Sequence, residues 1–249
     1  MGVIYLKYFL LFFIISIIFI YFFVLNGVEK ESVRMYLFTS PKNYNHYRLS
    51  DMVSTIHSNN IFMGKEYHKK YYPNTIVTEY WKRAKNIKDY DILYDIAKNY
   101  QLKENDIDYD NTLIIHLRTG DVIEGTKYSG KDFFERKINW HHTKNYVRPK
   151  KYYEDILNRN IKKLPKKIIF FSGGSNSNSK YKKSLEYINL IKDFFRSKNF
   201  EILEYEKKQS SPDIDFVKMS RSKYFIKSGG GFSDLIKLMI EKNNGYVFE

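Results

Sequence analysis

Short apolar runs alternate with amphipathic stretches through the second half of the chain, and this alternation restricts the fold more than any other feature. Thr112–Leu117, Lys166–Phe171, Phe200–Tyr205 and Lys223–Ile226 have the length and composition of buried strands. Between them, Tyr146-Val-Arg-Pro149 marks a turn and Lys151–Leu157 the helix that follows. Tyr181–Ser197 reads as an amphipathic helix with Leu185, Ile188, Ile191, Phe194 and Phe195 on one side. Asp213–Arg221 and Asp234–Lys242 complete the helical set. Strand and helix in strict alternation build a parallel sheet covered on both faces, so the expected class is α/β. Crossovers of one hand bring the loops after each strand to one edge, where Arg118, Gly173 and Ser228–Ser233 are expected to converge.

The first strand runs into His116-Leu-Arg118-Thr-Gly120-Asp121. Its polar residues therefore open at the strand's carboxyl end, where ligands bind in open α/β sheets. Arg118 offers a permanent charge and a planar fork matched to phosphate oxygens. Gly120 lets backbone approach a bulky anion, and Asp121 is placed to brace the arginine or bond a sugar hydroxyl. A strand end with a surface salt bridge explains these residues equally well. After Asp121 the stretch Val122–Tyr146 reads as a polar, aromatic loop holding Glu124, His141 and His142. Glu124 is a candidate general base. The two histidines lack a third ligand at a metal-binding spacing. Two further Gly-rich turns follow strands: Ser172-Gly-Gly-Ser-Asn-Ser-Asn178 and Ser228-Gly-Gly-Gly-Phe-Ser233. The second leads into a helix and is an anion-binding arrangement in principle, although it matches neither a Walker A loop nor a full Gly-x-Gly-x-x-Gly.

The 249-residue chain carries a formal charge of +14 spread along its length, which fits a phosphate-bearing ligand, an acidic membrane surface or nucleic acid without choosing among them. No cysteine is present, so disulfides and thiolate chemistry are excluded. Tyr8–Leu25 is apolar and uncharged, about long enough to cross a bilayer as one helix. Leu25-Asn-Gly-Val is a poor cleavage site, so an uncleaved single-pass anchor over 1–27 is expected. Lys7 precedes the span while Lys30 and Arg34 follow it among Glu29 and Glu31, leaving orientation open. Residues 28–42 form a charged stem; Met52–Ile61 and Thr78–Tyr100 are expected to be largely helical, and Tyr67–Pro73 a solvated basic loop. Asp106-Ile-Asp108-Tyr-Asp110 precedes its strand and does not continue as a calcium loop, so it reads as a polar lead-in.

Two of these motifs resemble the fucosyltransferase superfamily, inverting enzymes that take fucose from GDP-fucose. His116-x-Arg118-x-Gly120-Asp121 looks like that family's first motif, often written His-x-Arg-Arg-Gly/Thr-Asp. Asp215-Phe-Val-Lys-Met219-Ser220, Phe225-Ile226 and Phe232-Ser233 look like a later one, in the right order and spacing. The resemblance covers roughly half the chain. It implies a GT-B-like fold with a Rossmann-like parallel sheet over 110–249, preceded by a small, mostly helical acceptor-side region over 28–109. It further implies that Arg118 binds the donor diphosphate, with His116, Gly120, Gly173, Gly174, Asp215, Gly230, Gly231, Phe232 and Ser233 lining the donor site. Asp121 and Glu124 are then the candidate bases. The implied reaction is metal-independent transfer of fucose or a related sugar from a GDP-sugar to a glycan or protein hydroxyl. The donor is a substrate; no cofactor and no metal is implied. Family analogy points to a type II Golgi or ER membrane protein. The chain departs from the pattern at Thr119, which replaces a second Arg, and at Gly230 and Gly231, which replace a Ser pair. Asp234 and Leu235 stand where aromatics are usual. The alternative is a non-catalytic nucleotide- or sugar-binding membrane protein on the same fold. Nucleic-acid binding ranks last, since no recognised motif accompanies the charge.

Overall fold

The structure, a computed structural model, describes residues 74–84, 89–102, 107–137, 146–172, 181–204 and 212–249. The predicted anchor, the stem, the helix over 52–61, the loop over 67–73, Asp106, His141, His142, Gly173 and Gly174 lie outside the described residues. Among the described residues no helix is long and apolar enough to cross a membrane.

The strands β1 (Thr112–Leu117), β2 (Lys167–Ser172), β3 (Glu201–Ile202), β4 (Tyr224–Ile226) and β5 (Tyr246–Phe248) form one parallel sheet in the order β3-β2-β1-β4-β5. The helices in chain order are α1 (Ile76–Arg83), α2 (Tyr90–Asn99), α3 (Asp121–Glu124), α4 (Gly130–Phe134), α5 (Lys150–Asn160), α6 (Lys182–Arg196), α7 (Pro212–Ser220) and α8 (Gly231–Lys242). The central strand β1 pairs with β2 from Thr112↔Lys167 to Leu117↔Ser172 and with β4 from Leu113↔Tyr224 to Ile115↔Ile226. Every β1 residue is buried, as a central parallel strand covered on both sides requires.

Successive side chains leave a strand on opposite faces, and β1 thereby divides the core in two. Ile114, with Ile169, Phe171 and Phe225, meets residues of α1, α2, α7 and α8. Leu113, Ile115 and Leu117, with Ile168 and Ile226, meet α3 to α6. On that second face Phe195 stands edge-on to Tyr153, Phe170, Phe194 and Phe200, tying α5, α6 and the adjoining strands together. Each such ring pair adds about 0.5–1.5 kcal/mol beyond area burial. Backbone meets backbone closely where α4 packs on α6. A Cβ on Gly130 would stand 2.3 Å from the Lys183 carbonyl and 2.5 Å from the Tyr187 nitrogen.

The first two helices are attached by charge as well as by apolar contact. The buried Asp213 carboxylate accepts the Ile76 N–H at 2.9 Å, serving an orphan donor at the start of α1. The Arg221 guanidinium donates to the carbonyls of Tyr100 (2.6 Å), Lys98 (3.0 Å) and Ala97 (3.2 Å), closing the end of α2.

Several sequence expectations need correction. The helix expected over Thr78–Tyr100 is two helices: Ala84 is extended, and the Asp89 N–H donates to the Tyr80 hydroxyl at 2.9 Å between them. Val122–Tyr146 is no continuous loop, because α3 and α4 form within it, α4 through a reciprocal cap between Ser129 and Asp132. β3 spans two residues rather than six, and α8 starts at Gly231 instead of Asp234. Leu185, placed on the core side of its helix by periodicity, is 39% exposed. β5 has no signal in the local sequence: Tyr246-Val-Phe248 is too short to announce itself, and its pairing with β4 defines it.

Candidate functional site

The strand order reverses between β1 and β4: the chain moves outward through β2 and β3, then returns to the other side of β1. Loops leaving β1 and β4 diverge to opposite faces there, and the crevice between them is the usual ligand position in such sheets. His116 lies near the carboxyl end of β1 and Arg118, Gly120 and Asp121 follow the strand, while Ser228–Ser233 follow β4. The structure thus brings together the two stretches singled out from the sequence. Gly173 and Gly174, which follow β2, lie outside the described residues.

Hydroxyl groups staple these two loops. The Arg118 N–H donates to Ser228 Oγ at 2.9 Å, and Ser228 Oγ donates to the Tyr146 carbonyl at 3.0 Å. Ser233 Oγ accepts the Ser228 N–H at 3.0 Å and lies 3.0 Å from His116 Nδ1. His116 shares the face of β1 with Ile114, so its buried ring meets the Phe232 ring edge-on at 5.6 Å. On the other side Gly120 N donates to Ser184 Oγ at 3.0 Å, and Glu124 Oε1 accepts the Ser184 N–H at 2.7 Å. Gly120 itself adopts φ 78°, a conformation that favours glycine.

Held on both sides by its backbone, Arg118 still has a partly open side chain. Its fork meets Asp121 Oδ1 at 2.9 Å; the arginine side chain is 37% exposed and that of Asp121 76%. An exposed i,i+3 pair of this kind is worth only about 0–1 kcal/mol, so a phosphate displaces it at little cost. Thr119, where a second Arg is usual in the resembled family, is buried. A guanidinium there would have to displace core atoms.

α8 begins at the same crevice. Its N-cap Gly230 has φ 92° and supplies no side-chain cap. A Cβ at Gly230 would press on the Tyr146 ring at 3.0 Å. Ser233 and Asp234 both donate to the Gly230 carbonyl, whereas the N–H groups of Gly231 and Phe232 have no partner among the described residues. Free first-turn donors and the positive helix end favour an anion. Asp215 lies in the first turn of α7, a helix that starts at this edge, and its neighbour Phe216 touches Phe232 at 6.2 Å between ring centres. Beneath the Tyr146 loop, Tyr152 donates to the Lys227 carbonyl at 2.8 Å, and burial pushes its phenol up to about 12. Burial likewise holds Tyr153 and Tyr187 well above the ordinary tyrosine range.

Among the sequence-predicted residues, Glu124 has the most altered setting: its carboxylate caps the first turn of α6 through Ser184. Ser184 and Ser228 were missed as individual contributors. Ser184 sits inside an ordinary helical pattern with no local signal, and Ser228 lies in a Gly-rich turn whose glycines are the stronger local signal. Arg118 and the α8 amino end thus stand at the same edge of the sheet, on two loops joined by the Arg118–Ser228 hydrogen bond. In comparison with known proteins, the chain matches no family model and no curated protein.

Proposed function

We propose that this chain is an inverting glycosyltransferase, fucosyltransferase-like, that transfers fucose or a related sugar from a GDP-sugar to a glycan or protein hydroxyl. The observation that carries this reading is the pairing of Arg118 with the open α8 amino end across the strand-order reversal. In the proposed reaction the acceptor oxygen forms a bond to the anomeric carbon while the bond to the diphosphate oxygen breaks. The electron pair leaves with GDP, and Arg118 with the Gly231 and Phe232 N–H groups stabilises that charge. Asp121 is the proposed base, because a diphosphate that takes over Arg118 frees this carboxylate to accept the acceptor proton. Glu124 is a positioning group in this scheme, since it orders the Ser184–Gly120 link. The GT-B-like, Rossmann-like architecture, the membrane anchor and independence from metal belong to the same proposal.

A second reading, binding without transfer, draws support from the 76% exposure of Asp121, which leaves the proposed base close to bulk water. Full-length protein in detergent separates the two. The expected result is a thermal shift with GDP and GDP-sugars that does not need Mg²⁺ and is lost in Arg118→Ala, together with sugar transfer in an acceptor screen. A shift without transfer to any acceptor favours the second reading. Stabilisation by UDP or CMP instead changes the donor, and no shift with any nucleotide removes both.

A further inference from the structure

The opposite edge of the sheet carries a different kind of charge. Two neighbouring connections, from α5 into β2 and from α6 into β3, lie there side by side, joined by the Glu201 N–H donating to the Lys166 carbonyl at 2.8 Å. They present Lys162, Lys163, Lys166, Lys167 and Lys198, all exposed. Lys166 rests its ammonium over the Phe200 ring at 4.7 Å. Lys162, Lys163, Lys167 and Lys198 make no ion pair among the described residues, whereas Lys150, Lys151, Lys192, Lys223, Lys227, Lys237 and Lys242 are each paired with a carboxylate. One acid, Glu201, interrupts the patch by register with Lys167. Ile161, 38% exposed, stands beside Lys162 in the same turn.

We propose that this edge rests on an acidic membrane surface. Each lysine near an anionic leaflet adds attraction, and four to eight clustered basic residues are the usual scale of such a contact. An aliphatic side chain among the lysines favours lipid over nucleic acid, because it gains by entering the interfacial layer. A bilayer is chosen over other polyanions because Tyr8–Leu25 is apolar and uncharged, and in this respect the inference rests on the anchor reading. Strands of six residues set the two edges about 20 Å apart, so the patch on the membrane turns the Arg118 crevice toward solution.

The test uses the full chain with vesicles of phosphatidylcholine alone or with a third phosphatidylserine, read by lysine acetylation and peptide mass spectrometry. Expected is about threefold lower labelling of Lys162, Lys163, Lys167 and Lys198 in the anionic vesicles, unchanged labelling of Lys82, and reversal at about 1 M salt, where screening acts within about 3 Å. The quadruple variant Lys162→Gln, Lys163→Gln, Lys167→Gln, Lys198→Gln should lose the salt-sensitive part of the association while melting as the wild type does. Equal labelling in both vesicle types overturns the proposal, as does protection by an RNA oligonucleotide but not by lipid. Flotation with the neutral vesicles at high salt reports the anchor separately. Protection of the four lysines without such flotation keeps this inference and removes the anchor.

Discussion

At the carboxyl edge of the sheet, Ser228, Ser233, His116, Ser184 and Glu124 satisfy one another across long sequence separations, and one side chain, Arg118, remains half open with only a weak partner. At the amino edge the lysines are exposed, and four of them have no ionic partner at all among the described residues. On the two proposals made above, the contrast sets two uses of positive charge side by side. A single arginine set on braced backbone presents its fork in a defined direction, which is what a diphosphate needs. Several loose ammonium groups without partners present only a potential, which serves a flat, diffuse anion.

The strongest way to break this contrast is Arg118→Ala. Loss of about 10²–10³ in turnover is expected if the guanidinium acts on the leaving group. Stability should move by no more than about 1 kcal/mol, because only an exposed ion pair is lost. Kinetics and thermal melting measured on the same preparation check both halves. Unchanged turnover would remove Arg118 from the mechanism.

Next in size is Ser233→Ala. The variant leaves the buried Ser228 N–H without an acceptor and removes the Ser233 contact with His116 Nδ1, so a loss of about 2–3 kcal/mol is expected in chemical denaturation. If the hydroxyls are the staples described above, nucleotide affinity falls as well, since Ser228 in turn holds the Arg118 backbone.

Smaller still, Tyr152→Phe should cost about 1 kcal/mol at neutral pH through the lost bond to the Lys227 carbonyl. Its signature is in alkali. A phenol raised by burial to about 12 stabilises the fold fully below the unfolded value near 10 and loses that contribution as pH rises through 12. Melting curves between pH 9 and 12 should therefore fall less steeply for the variant than for the wild type.

The smallest effect sharpens the comparison from the other edge. Replacing the four unpaired lysines by Gln should change stability by no more than about 0.5 kcal/mol, because exposed side chains without ionic partners contribute little. A large loss would mean that these ammonium groups serve the carboxyl ends of α5 and α6 rather than a partner.

Local sequence was enough for much of this arrangement. Thr112–Leu117 is uniformly apolar or β-branched apart from His116, and the structure makes it the central strand. The amphipathic period of 181–197 appears as α6, and the turn after β4 delivers its glycines to the start of α8. Where contacts are distant the sequence was silent. Leu185 fits the helical period but faces outward, and nothing near Glu124 in the sequence announces its bond to the Ser184 N–H of α6.

Local residue patterns suffice for the alternation of strands and helices, the burial of β1 and the placing of His116-x-Arg118-x-Gly120-Asp121 at that strand's end. These follow from side-chain period, glycine and the apolar content of short runs, all of which act within a few residues. The packing of whole faces is what sets β4 beside β1, and what brings Ser184 to Gly120 and Ser233 to His116 across 64 and 117 residues of chain. Strand order and hydrogen bonds of that span depend on how whole faces pack, and no local pattern encodes them.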